Sequence, residues 1–314
     1  MKPLPLLASL LALVTACLGC AERDSGQSSQ AGPNVVEVTA IGLTFNAPDE
    51  IPSGWTTLRL VNQSGMTHFA VVERLPEGIG IEDQQEQVAP VFQEGMNLLN
   101  EGKPDSALAK FGELPEWFSR IEFLGGPGLI SPGHIAQTTV YLGPGTYLLE
   151  CYVKTNGVFH SYNPSPDTYG MVHEFTVTPD SSTTPEPKAD VNIVLSSEAG
   201  IVVDKDLRQG EHTVAVHFGD QTVHENFVGH DVHLIRLQDD TNLDVLTTWM
   251  NWAEPIGLET PAPVEFLGGC NEMSAGQTAY FTVILEPGRY AWISEVPSPQ
   301  DKGMLKIFTV PEGS

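Results

Sequence analysis

The chain has 314 residues, 41 % of them hydrophobic, which suits about two domains with real cores and excludes global disorder. Lys and Arg number 15 against 40 Asp and Glu, a net charge of −25, which excludes phosphate-driven binding of nucleic acid and docking on anionic lipid through a basic patch. The same charge favours a cation ligand or a basic partner, and four cysteines are too few for a disulfide-dense scaffold.

Residues 1–20 join one Lys to an apolar run from Leu4 to Val14 and then to small residues before cysteine. They read as a signal peptide, too short for a stable span. Val14-Thr15-Ala16-Cys17 resembles the lipobox of bacterial lipoproteins, in which the cysteine is lipidated and becomes the mature N-terminus. Cys20 fits that pattern less well, and an ordinary cleaved signal with incidental cysteines is the other reading. The resemblance implies an exported protein of the bacterial cell envelope, periplasmic or outer-surface, attached to membrane through the lipid alone. Residues 21–34, rich in Gly, Ser and Gln, read as a flexible tether.

The next feature is self-similarity. Residues 121–153 match 264–296 at a constant offset of 143, with fifteen of 33 positions identical. Glu122-Phe123-Leu124-Gly125-Gly126 stands against Glu265-Phe266-Leu267-Gly268-Gly269, and Pro144-Gly145 with Tyr147 against Pro287-Gly288 with Tyr290. Upstream, His68 with Arg74-Leu75 matches His230 with Arg236-Leu237 at an offset of 162. Downstream, Gly170-Met171 matches Gly303-Met304 at 133, so the second copy is ten residues shorter there. This reads as a tandem duplication: a first domain over 35–178, a Pro/Ser/Thr linker over 179–190 and a second domain over 191–314.

Short β-branched runs predict strands over 35–40, 56–62, 68–75, 137–142, 145–153 and 172–177, separated by Gly/Pro turns. That spacing predicts a mainly β chain of two tandem Greek-key β-sandwich domains. An insertion over 76–121 interrupts the first. It predicts helices over 82–100 and 105–113, with Val88, Phe92, Met96 and Leu99 forming one apolar face against the sandwich. A shorter helix over 243–251 is predicted in the second.

The first unit then reads Gly145-x-Tyr147-x-x-x-Cys151, His160, Gly170-Met171, with His68 one strand earlier. One thiolate, two neutral imidazoles and a weak thioether suit a metal that changes between Cu(I) and Cu(II). Two other readings of Cys151 stay open: a disulfide with Cys270, which is placed in a turn, and an inert buried thiol.

In these residues the chain resembles the cupredoxin family, the group of plastocyanin, azurin and the copper-containing nitrite reductases. The resemblance implies one type 1 copper in the first domain, with His68, Cys151 and His160 as ligands and Met171 as the axial ligand. The departure is the span from His160 to Met171, longer than the family's, so that 161–170 must bulge outwards. In the second copy Ser294 replaces Cys151 and the shortening removes the counterpart of His160, so that copy is expected to hold no type 1 ion. His230 and Met304 persist there, which leaves a structural role open for His68 and Met171. Five histidines between 212 and 233, namely His212, His217, His224, His230 and His233, are expected to scatter over strands and turns.

Glu150 precedes Cys151, and the sequence has no His-x-His, no Gly-x-Ser-x-Gly and no His-Glu-x-x-His. The expectation is therefore electron transfer or copper holding with a redox or copper-exchange partner, basic by complementarity, and no catalysis. The rival reading is a metal-free binding or assembly module of the envelope, working through its helical insertion.

Overall fold

The computed structural model describes residues 34–165 and 168–313. The predicted signal peptide, Cys17 and nearly all of the predicted tether lie outside them. The fold is mainly β, with mixed sheets and short helical insertions.

The strand Glu50–Asn62 organises the first half. From Trp55 onward its residues alternate between half-buried and buried, the period-2 pattern of a strand with one face on a core. Its first residues pair with Val172–Ser181, and the rest pairs with Ile135–Leu142 and, in parallel, with Val35–Ile41. Val172–Ser181 continues to Gly145–Glu150, then Val71–Arg74, then Glu122–Phe123. The second half repeats this order. Val191–Ser196 runs parallel to Gly210–Phe218, which pairs with Thr278–Leu285. Glu265–Cys270, Val232–Leu237, Gly288–Ile293 and Leu305–Val310 form a sheet of their own.

The repeated Leu-Gly-Gly has a steric cause. Gly126 and Gly269 both sit at positive φ, 103° and 140°. A Cβ there would strike the carbonyl oxygen of Ala70 or of Val232, which are equivalent positions. Only glycine tolerates both constraints. The Gly-x-Tyr repeat builds a corner twice: the hydroxyl of Tyr147 donates to the Gly143 carbonyl at 2.7 Å, and that of Tyr290 to the Glu286 carbonyl at 2.8 Å.

The halves join through registers that are self-complementary at the offset of 143. Thr138 pairs with its own counterpart Phe281 and bridges Pro127 to Cys270 repeat the pattern. Leu124 meets Met273 and Ile130 meets Leu267, so each faces the other's counterpart. Such reciprocity is how two copies of one surface meet across a two-fold axis. It makes one sheet continuous between the halves.

Several predicted boundaries shift. The predicted helix over 82–100 is two helices, Ile81–Gln87 and Ala89–Asn100. Pro90 has no N–H to donate into a continuing helix but fits the first turn of a new one. Pro104–Phe111 and Leu243–Met250 follow the predicted helices closely. The strand predicted from His68 begins at Val71, and the one predicted to 153 ends at Glu150. In both cases the candidate ligand, His68 or Cys151, leaves the regular ladder. Val172–Ser181 takes over the first residues of the predicted linker.

Of the predicted apolar face, Val88 and Met96 are buried and Phe92 packs on the core, while Leu99 is only half-buried and lies outside the core cluster. That face also reaches the second half. Phe92 lies 5.6 Å from Phe227 and 6.0 Å from Trp252, ring centre to ring centre.

Candidate metal centre

Three fully buried side chains converge at one end of the first half. Cys151 Sγ lies 3.5 Å from Nδ1 of His68 and 3.9 Å from Nδ1 of His160. The rings are 5.0 Å apart at 53°. Their exposures are 0 %, 0 % and 2 % for Cys151, His68 and His160, so water does not compete for the donors. A trigonal ion with bonds of about 2.0 Å to nitrogen and about 2.3 Å to sulfur needs N···S separations of about 3.7 Å. The observed separations bracket that value, so the three donors fit a metal ion.

Local hydrogen bonds place each ligand. His68 sits in an isolated bridge with Ile130, its N–H donating at 3.2 Å and its carbonyl accepting at 2.8 Å. Cys151 N–H donates to the Met171 carbonyl at 3.1 Å, and Met171 N–H donates to the His160 carbonyl at 2.6 Å. His160 N–H donates to Val153 at 2.8 Å. Cys151, His160 and Met171 are thus tied into one knot of backbone, while His68 is held separately by Ile130. Met171 is fully buried and takes part through its main chain.

The ionisation states suit a soft ion. Burial pushes the His68 imidazole down to about 4, with the Gly42 backbone raising it slightly. Burial, and then His68, push His160 down to about 3. Both rings are therefore neutral, with a lone pair to give. Burial pushes the Cys151 thiol up to about 12, against the backbone groups of Phe69 and Val153 that favour its thiolate. A metal ion supplies the positive charge that such a thiol needs to lose its proton.

The ring nitrogens turned away from the sulfur differ. His160 Nε2 is 2.9 Å from Thr155 Oγ1, which is itself 2.7 Å from Thr260 Oγ1 and 3.3 Å from Met66 Sδ. With Nδ1 on a metal, Nε2 carries the ring proton and donates it to Thr155, which fixes the tautomer. His68 Nε2 is buried with no hydrogen bond of ordinary geometry.

Sequence reasoning missed what holds the long ligand loop. Two glutamines of the insertion, Gln85 and Gln93, reach it, and Gln84 holds Glu150 at the end of the strand before it. Gln84 Nε2 donates to Glu150 at 2.6 Å, Gln85 Nε2 to the Ser161 carbonyl at 2.8 Å, and Gln93 Nε2 to the Gly157 carbonyl at 3.0 Å. Return bonds run from Gly170 N–H to Gln85 and from Phe159 N–H to Gln93. From the other side, Lys154 Nζ donates to the carbonyls of Trp252 and Glu254, and Gly157 N–H to Glu259. The loop is held between the insertion and the second half. A cluster of Gln on a helix beside a long ligand loop was the available signal. Of the segment 161–170 predicted to bulge outwards, Pro164, Ser165, Thr168 and Tyr169 are exposed, while Ser161 is buried.

Cys270 is not in a turn. It ends the strand Glu265–Cys270, buried, and both it and Cys151 are free thiols. The five histidines do not all scatter. His224 and His230 meet with Nε2 atoms 2.9 Å apart. His233 joins Asp231 and Glu295 in a second buried group whose ligand atoms lie close together.

That second group does not fit a metal. Leu129 N–H donates to His233 Nδ1 at 3.1 Å, so Nε2 carries the ring proton and donates to Asp231 at 2.7 Å. Burial opposes a second proton on this ring, but Asp231 and Glu295 outweigh it and push the imidazole up to about 9. That proton would face the Leu129 N–H, so the neutral tautomer is the one that satisfies the hydrogen bonds. Neither nitrogen is left for an ion.

No protein-family model matches the chain, and no curated protein does. Among solved structures it is similar to auracyanin A, a "blue" copper protein of Chloroflexus aurantiacus, at 19 % identity over 47 % of this chain and 100 % of that one, TM-score 0.27. It is similar to auracyanin of Roseiflexus castenholzii at 18 % identity over 38 % and 94 %, TM-score 0.27. It is also similar to copper nitrite reductase of Nitrosomonas europaea at 13 % identity over 88 % and 94 %, TM-score 0.23. Likeness this distant says nothing of what the chain does.

Proposed function

We propose that this chain is an exported, lipid-anchored copper protein of two cupredoxin-like units, 35–178 and 191–314, working in electron transfer or copper holding. Cys17 is its lipidation site. His68, Cys151 and His160 hold one type 1 ion, with the Met171 thioether as a weak fourth ligand. The observation that carries this reading is the pair of imidazole Nδ1 atoms at 3.5 and 3.9 Å from one buried thiol.

Copper there would supply a one-electron couple. The chain's own contribution is rigidity and dryness. His68 and His160 stay neutral and give nitrogen lone pairs without taking protons. Cys151 gives a soft donor, and a thioether at Met171 helps set the potential. The glutamine clamp keeps the loop from rearranging between oxidation states. The chain is read as non-catalytic because Glu150 rather than a histidine precedes Cys151 and the sequence has no His-x-His pair to hold a second copper centre. A basic redox or copper-exchange partner is favoured by the net charge of −25.

The test is metal analysis and a visible spectrum of the protein with its lipid anchor removed, after reconstitution with Cu(II). About one copper per chain with an intense band near about 600 nm is expected, since that band marks Cu(II)–thiolate bonding. Failure to bind copper, with unchanged capture of an envelope partner by a Cys151→Ala variant, would leave the metal-free binding module in its place.

A further inference from the structure

A cavity of about 90 Å³ lies between the helical insertion and the second half. At about 10–15 Å³ per water on the same measure, it has room for roughly six to nine waters, the space of a small organic molecule. Its lining holds three glutamates, Glu73, Glu150 and Glu272, and no Lys, Arg or His. Glu150 accepts from Gln84, and Glu272 accepts from Gly229 N–H at 2.7 Å. Glu73 is only 6 % exposed. Its carboxyl makes no hydrogen bond or ion pair that the structure shows among the described residues. A buried carboxyl in that state keeps its proton unless a cation compensates the charge it would carry.

The rest of the wall is aromatic, with Phe92, Phe118, Phe227 and Trp252 among its side chains. Phe92 touches the other three, at ring separations of 5.6 to 6.0 Å. Phe227 is 43 % exposed and stands at the mouth. It and Asn226 adopt positive φ, 63° and 65°, a conformation that costs energy in non-glycine residues and is found at binding sites. Trp252 Nε1 holds this pair by donating to the Asn226 carbonyl at 2.8 Å.

We propose that this cavity binds a small organic ammonium ion, its charge met by Glu73, Glu150 and Glu272 and its carbon surface by the aromatic wall. Carboxylates and aromatic faces together are what recognise such a cation. A bare metal ion fits less well. The three glutamates are not among the groups whose ligand atoms lie within 4.8 Å of one another, so one small ion does not reach all of them. Burial, then Glu150 and Glu272, hold Glu73 well above the usual carboxylate range, the state of a site that lacks a cation of its own.

The site is separate from the copper reading and is tested without copper. The probes are choline, ethanolamine, the uncharged choline isostere 3,3-dimethyl-1-butanol, and calcium chloride. Each is titrated into the metal-free full chain by calorimetry and tryptophan fluorescence. At least one of the two ammonium probes is expected to saturate at one per chain, about tenfold tighter than the neutral isostere. Glu73→Gln is expected to weaken that binding by about tenfold or more. Phe227→Ala, at a half-exposed position that the core does not need, is expected to weaken it too and keeps the test decisive where Glu73→Gln fails to fold. No saturable binding of either ammonium probe, equal binding of the neutral isostere, unchanged binding in both variants, or displacement of the probe by calcium at equal concentration overturns the proposal.

Discussion

Equivalent places in the two halves hold opposite chemistry. Cys151 becomes Ser294, and Phe69 becomes Asp231. In the first half two imidazoles turn their Nδ1 atoms to one sulfur. In the second, the Ser294 hydroxyl donates to Asp231, which also takes the Glu295 N–H at 2.8 Å and His233 Nε2 at 2.7 Å. His230, the counterpart of His68, turns Nε2 to His224 and lies 3.5 Å from Asp220 through Nδ1. One backbone frame thus carries a set of lone pairs aimed at a point, and also a closed network in which the lone pairs are mostly used up. The lesson is that a buried polar group is settled either by its neighbours or by a ligand. In the second half Asp231, His233 and Ser294 settle one another, while His230 Nδ1 and Glu295 Oε1 find no hydrogen bond of ordinary geometry. In the first half His68 Nε2 finds none either, and both Nδ1 atoms turn to the one thiol.

The two halves also meet at this level. Tyr152, next to Cys151, donates its hydroxyl to Glu295 Oε2 at 3.2 Å, and Glu295 is the counterpart of Tyr152 at the offset of 143. The dry centre of the first half and the hydrogen-bonded one of the second are joined by the pair of residues that follow their key positions.

The largest expected effect comes from exchanging those positions. Cys151→Ser is expected to abolish the intense visible band, because serine offers no soft thiolate. Ser294→Cys is expected to add no second band and no second copper, because His230 is already bonded to His224. Two coppers per chain in that variant, by metal analysis, would show that a thiolate alone separates the halves.

Loss of the outer partner of His160 comes next. Thr155→Val removes the group facing Nε2 and is expected to weaken copper binding by about 10–100-fold, read by competition with a chelator. An unchanged affinity would mean that the clamp, not the threonine, orients the ring.

The metal-free protein should be acid-sensitive. Free imidazole titrates near 6.5, but His68 and His160 in the fold take protons only near about 4 and about 3. Below pH 6.5 the unfolded chain therefore gains protons that the folded chain does not, and stability falls as the pH drops from 6.5 towards 4. At pH 5 the expected loss is about 2 kcal/mol for each ring, read from urea unfolding at pH 7.5 and 5. Replacing both rings by Gln should flatten that loss.

The smallest effect is expected for Met171→Leu. A volume-conserving swap in a core costs under about 1.5 kcal/mol, so the fold and the blue colour should persist while the potential moves. A potential unchanged by voltammetry would make Met171 a core residue like its counterpart Met304, which is buried as well.

Much of the site was legible because its chemistry is written in residue types. Cys151, His160 and His68 stood out as soft and borderline donors in order along the chain, and the second copy showed which of them the frame can lose. The duplicated Leu-Gly-Gly was legible as a motif, although its cause, carbonyl oxygens of Ala70 and Val232 pressed on the glycines, was not. The ends of the ligand strands were misplaced because β-branched runs do not show where a chain leaves its ladder. Val153 reads as strand by type, yet Cys151 N–H goes to Met171. Cys270 was misplaced for the same reason: the Gly pair before it looks like a turn but lies in a strand.

The sequence by itself determined the β-rich character of the chain, its internal self-similarity and which side chains are candidate donors, because these follow from local periodicity and from the chemistry of single side chains. Only the tertiary structure decided which donors meet. His233 and His160 are equally plausible ligands by type. The backbone N–H of Leu129, 104 residues away, occupies one ring nitrogen of the first, and no such donor faces Nδ1 of the second. The glutamine clamp and the acid-lined aromatic cavity were decided in the same way, by contacts between the insertion and a half of the molecule more than a hundred residues downstream, which no local pattern encodes.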